Sequence, residues 1–151
     1  MNIEIQSRLE IEKLAKKPFS VPTALISIGD VGSDPPKLQN LPDYLLRLTF
    51  DDMELYDLEY ETSGSYANRL FSDKQAEQII DFVTDCRDKI ELLICQCEYG
   101  VSRSTAIAAA IKQYIDGDGI RFFADNRYHP NIYVFGTTMN AFVRREKEKS
   151  E

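Results

Sequence analysis

The segment Leu92-Leu93-Ile94-Cys95-Gln96-Cys97-Glu98-Tyr99-Gly100-Val101-Ser102-Arg103-Ser104-Thr105-Ala106 decides the fold of this chain. Its apolar beginning is typical of a buried strand, and its alanine- and isoleucine-rich continuation to Ile111 is typical of a helix. The residues between them predict a tight loop that ends at the N-terminus of that helix. Unpaired backbone N–H groups at such a position favour bound anions and the thiolate form of a cysteine.

Three residues of the loop suit chemistry on a phosphate. Gly100 can adopt the backbone angles with which successive N–H groups wrap around an oxyanion. Arg103 offers a planar, permanently charged fork of donors for two phosphate oxygens. Ser104 can donate a hydrogen bond to the sulfur of Cys97. The pattern predicts attack by Cys97 on phosphorus; the alternative is a buried structural cysteine beside a solvated arginine.

This segment resembles the signature loop of the cysteine-dependent protein tyrosine phosphatases, particularly of their small dual-specificity-like branch. The family pattern is His-Cys-x-x-Gly-x-x-Arg-Ser/Thr, and the chain matches it at Cys97, Gly100, Arg103 and Ser104. The resemblance implies that residues 97–103, hereafter the signature loop, hold the phosphate. The implied phosphate-binding residues are Glu98, Tyr99, Gly100, Val101, Ser102 and Arg103.

The chain departs from the family pattern at Gln96, where the family usually has histidine. In the family that histidine helps to hold the loop and to keep the thiolate acidic. Glutamine can still donate a hydrogen bond, so Gln96 is predicted to support the loop without contributing a charge. Glu98 adds a negative charge inside the loop, which also disfavours the thiolate.

An acid is needed to protonate the departing oxygen, because an alkoxide or phenolate leaves poorly without a proton. Asp51 and Asp52 follow a predicted strand, at the sheet edge where the signature loop also emerges and where ligand sites of α/β proteins collect. The family's general acid follows a comparable strand, and counting along that strand favours Asp51 over Asp52. The alternative is that both are turn carboxylates.

Strands and helices alternate along the chain, which predicts an α/β fold with a mostly parallel sheet of about four or five strands flanked by helices. The predicted strands cover residues 2–6, 23–28, 44–50 and 91–97. Capping boxes are predicted at Ser7 with Glu10, for a helix to about Lys17, and at Ser72 with Gln75. The resemblance implies the protein tyrosine phosphatase fold for this arrangement.

Three further segments are less regular in the prediction. Residues 53–71 are expected to be irregular, and Tyr56, Tyr60 and Tyr66 within them either line a substrate groove or pack the loop. Gly117 and Gly119 close the helix after the signature loop, and a short helical piece follows over 120–126. The charged end, about 144–151, is predicted to fray.

Asn131 has two predicted roles. It follows Pro130 in a step that resembles the Pro-Asn step of dual-specificity phosphatases, where it would support the signature loop. It can equally be an ordinary cap for the last helix. The lone His129 is typical of a surface residue, and with no Cys pair at ligand spacing the sequence predicts no metal site.

Composition limits the partners and the compartment. The chain has 151 residues and 43% hydrophobic residues, so we expect a single phosphatase-like domain over residues 1–151. The net charge of −7 argues against nucleic acid and anionic membranes as partners. Three cysteines, without a visible secretion signal, predict a reducing cytoplasm. Cys95 shares a strand face with Cys97, so either a reversible disulfide or a small core residue is expected there.

The sequence thus predicts a cysteine-dependent phosphomonoester hydrolase of the protein tyrosine or dual-specificity type. Its substrate would be a phosphorylated protein or a small phosphomonoester, inorganic phosphate or sulfate could occupy the loop, and no metal or organic cofactor is needed. One alternative is a phosphate-binding pseudophosphatase with little turnover, which Gln96 and Glu98 favour. Another is a rhodanese-like sulfurtransferase, which the Asp pair and the hydroxyl residue after Arg103 make a weaker match.

Overall fold

The computed structural model describes residues 1–59 and 65–151, and these residues form a four-stranded β-sheet with helices on both faces. The strands lie in the order β1-β4-β2-β3, and each neighbouring pair is parallel. This confirms the predicted α/β fold with a parallel sheet. The strands are β1 (Asn2–Gln6), β2 (Thr23–Gly29), β3 (Tyr44–Thr49) and β4 (Leu92–Gln96).

Six α-helices and one 3₁₀ turn, Ser65–Asn68, lie within the described residues. None of the helices in these two ranges is long and apolar enough to cross a lipid bilayer. The helices are α1 (Arg8–Leu14), α2 (Leu55–Glu59), α3 (Asp73–Cys86), α4 (Arg103–Asp116), α5 (Ile120–Ala124) and α6 (Ile132–Ser150).

The two faces of the sheet carry cores of different size. Because successive strand residues point to opposite faces, Ile94 packs with Leu25 and with Ile11 of α1 in a small cluster. On the other face Cys95 and Cys97 belong to a large cluster to which α3, α4 and α6 contribute. The two cysteines therefore share a face, as predicted, and that face is the main core.

Both predicted capping boxes are present. Ser7 and Glu10 exchange side-chain and backbone hydrogen bonds at the start of α1, and Ser72 and Gln75 do so at the start of α3. The predicted end of the first helix at Lys17 is wrong, because α1 ends at Leu14. After Leu14 the backbone tightens, because the N–H groups of Lys16 and Lys17 donate to carbonyls three residues back, at 3.3 and 3.4 Å, and not four.

The prediction that residues 53–71 are irregular is also wrong in part, since α2 and the 3₁₀ turn fall within them. The backbone N–H of Glu54 donates to Asp57 Oδ2 at 2.7 Å, a capping bond that fixes the start of the short α2. Tyr56 is exposed. Tyr60 lies outside the described residues and the side chain of Tyr66 is not described, so the groove stays a prediction.

The C-terminal residues differ from the frayed end expected over 144–151, because α6 continues to Ser150. Arg145 donates to Glu77 at 2.8 Å and to Asp81 at 2.9 Å, and both carboxylates lie on α3. Arg144 adds a hydrogen bond of 3.3 Å to Glu77. Contacts with a neighbouring helix thus extend α6 beyond the length that its own charged sequence suggests.

Candidate active site

The signature loop connects β4 to α4 at the carboxyl edge of the sheet, in the predicted order of strand, loop and helix. Gly100 has a φ of +68°, a left-handed conformation in which other residues are strained. A Cβ atom at this position would lie 3.0 Å from the backbone nitrogen of Ser7 and 3.1 Å from the carbonyl carbon of Gln6. Both the turn and the close approach to the β1–α1 junction therefore require glycine here.

Carbonyl groups of the signature loop are bonded to donors outside it. The Glu98 carbonyl accepts from the backbone N–H of Arg8 at 3.0 Å, and the Val101 carbonyl accepts from that of His129 at 3.0 Å. The Ser102 carbonyl accepts from the N–H of Asn131 at 3.1 Å. The first residues of α1 and the segment before α6 thus hold the loop from two sides.

The backbone N–H groups of residues 98–102 are in the opposite situation. Across residues 1–59 and 65–151, none of these five consecutive donors has a protein acceptor. A run of unbonded backbone N–H groups around a glycine in the left-handed conformation is what an anion-binding nest requires. The predicted phosphate-binding positions Glu98, Tyr99, Gly100, Val101 and Ser102 supply these groups.

Cys97 lies at the start of the loop and is only 2% exposed. Its Sγ atom lies 3.0 Å from the Oγ of the buried Ser104, the distance of a sulfur–hydroxyl hydrogen bond. Thr105, which the sequence analysis did not single out, donates from Oγ1 to the Val101 carbonyl at 2.6 Å. The two hydroxyl residues of the first turn of α4 thereby contact both ends of the loop.

Gln96, where the signature pattern usually has histidine, bonds a residue of β2 and the first residue of the signature loop through its side chain. Its buried side chain accepts a hydrogen bond from the Ser27 hydroxyl on β2 and donates from Nε2 to the Cys97 carbonyl at 3.0 Å. The side chain therefore links β2 to the residue proposed as nucleophile. Because glutamine is neutral, this link adds no positive charge beside the sulfur.

Arg103 is buried at the beginning of α4, with a side chain only 5% exposed. Its Nη1 donates to the Phe50 carbonyl at 2.7 Å and lies 2.8 Å from Asp30 Oδ1. Within the described chain no acceptor bonds its Nε or Nη2 atoms, so that edge of the fork is open to a ligand. The sequence analysis missed Asp30, although it follows β2 at the same sheet edge as Asp51 follows β3.

The side chains of Glu98 and Tyr99 contact residues outside the signature loop or face solvent. Tyr99 is 80% exposed. The Glu98 carboxylate lies 3.9 Å from the guanidinium of Arg8, which partly balances its charge. These two residues can therefore serve the loop through their backbone groups, while their side chains face other partners or solvent.

Asn131 is the N-cap of α6, one of its two predicted roles, and its side chain also bonds the segment after β3. Its Oδ1 caps α6 by accepting from the N–H of Val134 at 2.9 Å. Its Nδ2 donates to Asp52 Oδ1 at 2.8 Å and to the Met53 carbonyl at 2.9 Å. Asp52 Oδ1 also accepts from the Ser102 hydroxyl at 2.8 Å, so a polar chain joins Asn131, Asp52 and the signature loop.

Asp51 lies beside this chain but contacts a different set of residues. Its Oδ1 accepts from the N–H of Val31 at 3.0 Å, and its Oδ2 is paired with Arg69 Nε. The side chain is 13% exposed and lines an open cleft of about 580 Å³. The residues lining that cleft are Asp30, Val31, Asp51, Asp52, Met53, Asp57 and Arg69.

The two cysteines outside the signature loop, Cys86 and Cys95, also belong to the main core. Burial raises the pKa of the Cys95 thiol, and the neighbouring Cys97 raises it further. Burial also raises the pKa of the Cys86 thiol, with a smaller contribution in the same direction from Asp85. Both thiols are therefore kept protonated at neutral pH, which suits Cys95 to the role of a small core residue.

The architecture matches that of several solved structures. Human DUSP28 covers 97% of this chain and 94% of its own at 15% identity, with a TM-score of 0.55. DUSP15 covers 97% of this chain and 90% of its own at 18% identity, with a TM-score of 0.54. For PTPMT1 the shares are 99% and 94%, the identity is 12% and the TM-score is 0.58.

The chain has the fold of the small dual-specificity phosphatases. No protein-family model matches it, and a search of curated proteins finds no match either. At these identities the likeness establishes the dual-specificity phosphatase fold alone. The chemistry of the site is therefore argued from the residues around the signature loop.

Proposed function

We propose that this protein is a phosphomonoester hydrolase of the protein tyrosine or dual-specificity type. The observation that carries the proposal is the nest of unbonded N–H groups over residues 98–102, between the sulfur of Cys97 and the open edge of Arg103. Such donors stabilise charge that develops on the equatorial phosphate oxygens during transfer. The phosphatase fold supports the same chemistry.

The proposed reaction has two steps. In the first, Cys97 Sγ attacks phosphorus, the bond from phosphorus to the substrate oxygen breaks, and Asp51 gives its proton to that oxygen. In the second, Asp51 takes a proton from water, the water oxygen attacks phosphorus, and the sulfur–phosphorus bond breaks to release phosphate. The Ser104 hydroxyl, 3.0 Å from the sulfur, stabilises the thiolate as it departs.

Asp51 is preferred to Asp52 as the acid because the two carboxylates have different partners. Asp52 is tied through one oxygen to Ser102 and Asn131, which suits it to holding the signature loop. Asp51 lines the cleft, and its partners, Val31 and Arg69, lie outside the loop. Its carboxyl group must leave Arg69 to reach a departing oxygen, and that movement is part of the proposal.

A direct test is the turnover of p-nitrophenyl phosphate by the wild type and by Arg103→Lys, with thiosulfate–cyanide exchange measured in parallel. We expect phosphate release by the wild type. Arg103→Lys should lower kcat by roughly 10²–10³, because lysine lacks the planar fork. Formation of thiocyanate in place of phosphate would instead identify a sulfurtransferase.

The second candidate is a phosphate-binding pseudophosphatase with little turnover. It is favoured by the neutral Gln96 and by the Asp30 carboxylate beside Arg103. Calorimetric binding of tungstate, measured together with aryl phosphate turnover, distinguishes it from an enzyme. Micromolar binding without turnover of any aryl phosphate would establish the module.

The cytoplasmic location and the single domain stay predictions. Cell fractionation tests the first, and limited proteolysis tests the second.

The acidic lining of the cleft predicts which phosphomonoesters bind best. Four aspartates and one arginine line it in the described chain. Two of the aspartates contact the signature loop, Asp30 at Arg103 and Asp52 at Ser102, so the surroundings of the proposed phosphate site are negative. We expect phosphopeptides with lysine beside the phosphorylated residue to have kcat/KM values about tenfold above glutamate-flanked ones at low salt, and the ratio to fall as salt rises. Asp57→Asn should reduce the ratio, whereas Asp118→Asn, outside the cleft, should not.

The comparison substrate in that experiment is a phosphoinositide. PTPMT1 has been crystallised in complex with PI(5)P, and its fold matches that of this chain with a TM-score of 0.52. The four cleft aspartates here argue for a different preference. Faster hydrolysis of PI(5)P than of both phosphopeptides would show the electrostatic argument to be wrong.

A further inference from the structure

Arg8, the first residue of α1, joins two segments that are distant in sequence. Its Nη1 donates to the Asp34 carbonyl at 2.7 Å and its Nη2 to the Pro35 carbonyl at 3.3 Å. The side chain is only 25% exposed. A planar fork can bond two carbonyls at once, which an ammonium group does less well. The guanidinium therefore fixes the segment after β2 against the start of α1.

The same residue contacts the signature loop twice. Its backbone N–H donates to the Glu98 carbonyl at 3.0 Å, and its guanidinium lies 3.9 Å from Glu98 Oε2. Glu98 directly follows the proposed nucleophile. Its carboxylate would repel an incoming phosphate dianion if no cation stood beside it.

The segment that Arg8 holds also reaches the other side of the nest. It begins after β2 with Asp30, whose carboxylate lies 2.8 Å from Arg103 Nη1. Gly100, in the middle of the loop, lies against the backbone of Gln6 and Ser7, immediately before Arg8. The β1–α1 junction thus contacts the beginning and the middle of the signature loop, and the segment after β2, which Arg8 bonds at Asp34 and Pro35, contacts the arginine end through Asp30.

We propose that Arg8 is a positioning residue of the phosphate site. It holds the Glu98 end of the nest in place and balances the Glu98 carboxylate, so that a dianion can bind beside Cys97. Arg8 itself does not contact the substrate. This inference rests on the proposed phosphate site, but it requires only binding and not turnover.

A double-mutant cycle tests the inference, with Arg8→Met, Glu98→Gln and the double variant compared by calorimetric binding of inorganic phosphate. Arg8→Met should weaken phosphate binding by roughly fivefold to tenfold, because the Glu98 charge is then unbalanced. Glu98→Gln alone should bind phosphate as well as the wild type or better. The double variant should recover most of the lost affinity.

Lys13→Met is the matched control, since Lys13 lies exposed on the same helix and its loss changes the net charge equally. It should leave phosphate affinity within about twofold of the wild type, the scale of an isolated surface charge. An equal loss in Arg8→Met and Lys13→Met would overturn the proposal. So would a double variant that binds no better than Arg8→Met, because then the carboxylate plays no part.

Arg8→Lys covers the case in which Arg8→Met does not fold, as judged by circular dichroism. It keeps a charge near Glu98 but loses the planar fork, so phosphate affinity should stay within about threefold of the wild type. If Arg8→Lys loses its phosphate affinity and has a lowered melting temperature, and if Glu98→Gln does not restore that affinity, Arg8 acts only through stability and the positioning role is wrong. If the wild type binds no phosphate at all, the proposed function and the role of Arg8 both fail; if the wild type binds phosphate and Arg8→Met binds it equally well, the proposed function stands and only the role of Arg8 fails.

Discussion

Cys97→Ser is expected to abolish hydrolysis of aryl phosphates while leaving the binding of phosphate or vanadate largely intact. The variant loses the only atom that forms the covalent intermediate, whereas the N–H groups of residues 98–102 and the fork of Arg103 are unchanged. Turnover and calorimetric binding, measured on the same preparation, check both halves of the expectation. Residual activity above about a tenth of the wild type would remove Cys97 from the mechanism, since loss of a covalent nucleophile costs orders of magnitude.

Cys95→Ser is the matched control for this prediction. Cys95 is fully buried, and burial together with the nearby Cys97 raises the pKa of its thiol, so it stays protonated and unreactive at neutral pH. Activity should change little, although the buried hydroxyl can lower stability. Iodoacetate near pH 7 should label one site per chain in the wild type and none in Cys97→Ser. A loss of activity in Cys95→Ser as complete as that in Cys97→Ser would identify the wrong thiol.

Asp51→Asn is expected to lower kcat by ~10²–10⁴, the usual contribution of general acid catalysis. The loss should be small for p-nitrophenyl phosphate, whose leaving group departs readily as an anion, and large for phenyl phosphate, which needs the proton more. The limb of the kcat–pH profile that belongs to the acid should also disappear. A set of aryl phosphates of graded leaving-group acidity measures this dependence.

Asp52→Asn is the companion variant. Because Asp52 bonds Ser102 and Asn131, its loss should loosen the loop and raise KM without a dependence on the leaving group. If Asp52→Asn carries that dependence instead, the roles of the two residues are exchanged. If neither variant does, the acid lies elsewhere, and Glu54 and Asp57 of the adjoining segment are the next to replace.

Local patterns in the sequence were sufficient for the framework of the fold. The strand of Leu92–Gln96, the loop with Gly100 and the capping residues Ser7 and Ser72 each follow from a few neighbouring positions, so their prediction needed no knowledge of distant contacts. The same is true of Ser104, whose hydroxyl lies beside Cys97 because both flank one short loop.

Contacts between distant segments could not be predicted in this way. Asp30 meets Arg103 and Arg8 meets Asp34 only after the sheet has brought their loops together. The extension of α6 to Ser150 depends likewise on carboxylates of α3. Local propensity carries no information about such partners. The short α2 was missed for a different reason: the bond from the Glu54 N–H to Asp57 that caps it lies in an acidic, aromatic segment without a helical pattern of apolar residues.

The carbonyl anchors of the signature loop have a consequence for the order in which the protein matures. One anchor is Arg8, near the beginning of the chain, and others are His129 and Asn131, more than a hundred residues later. A nascent chain that has emerged from the ribosome only as far as α4 contains Cys97 and Arg103 but lacks two of the three anchors that hold the loop between them. The loop of the proposed phosphate site therefore acquires its full set of anchors only after residues 129–131 have been synthesised, when segments that precede and follow it in the sequence have both docked on residues 97–103.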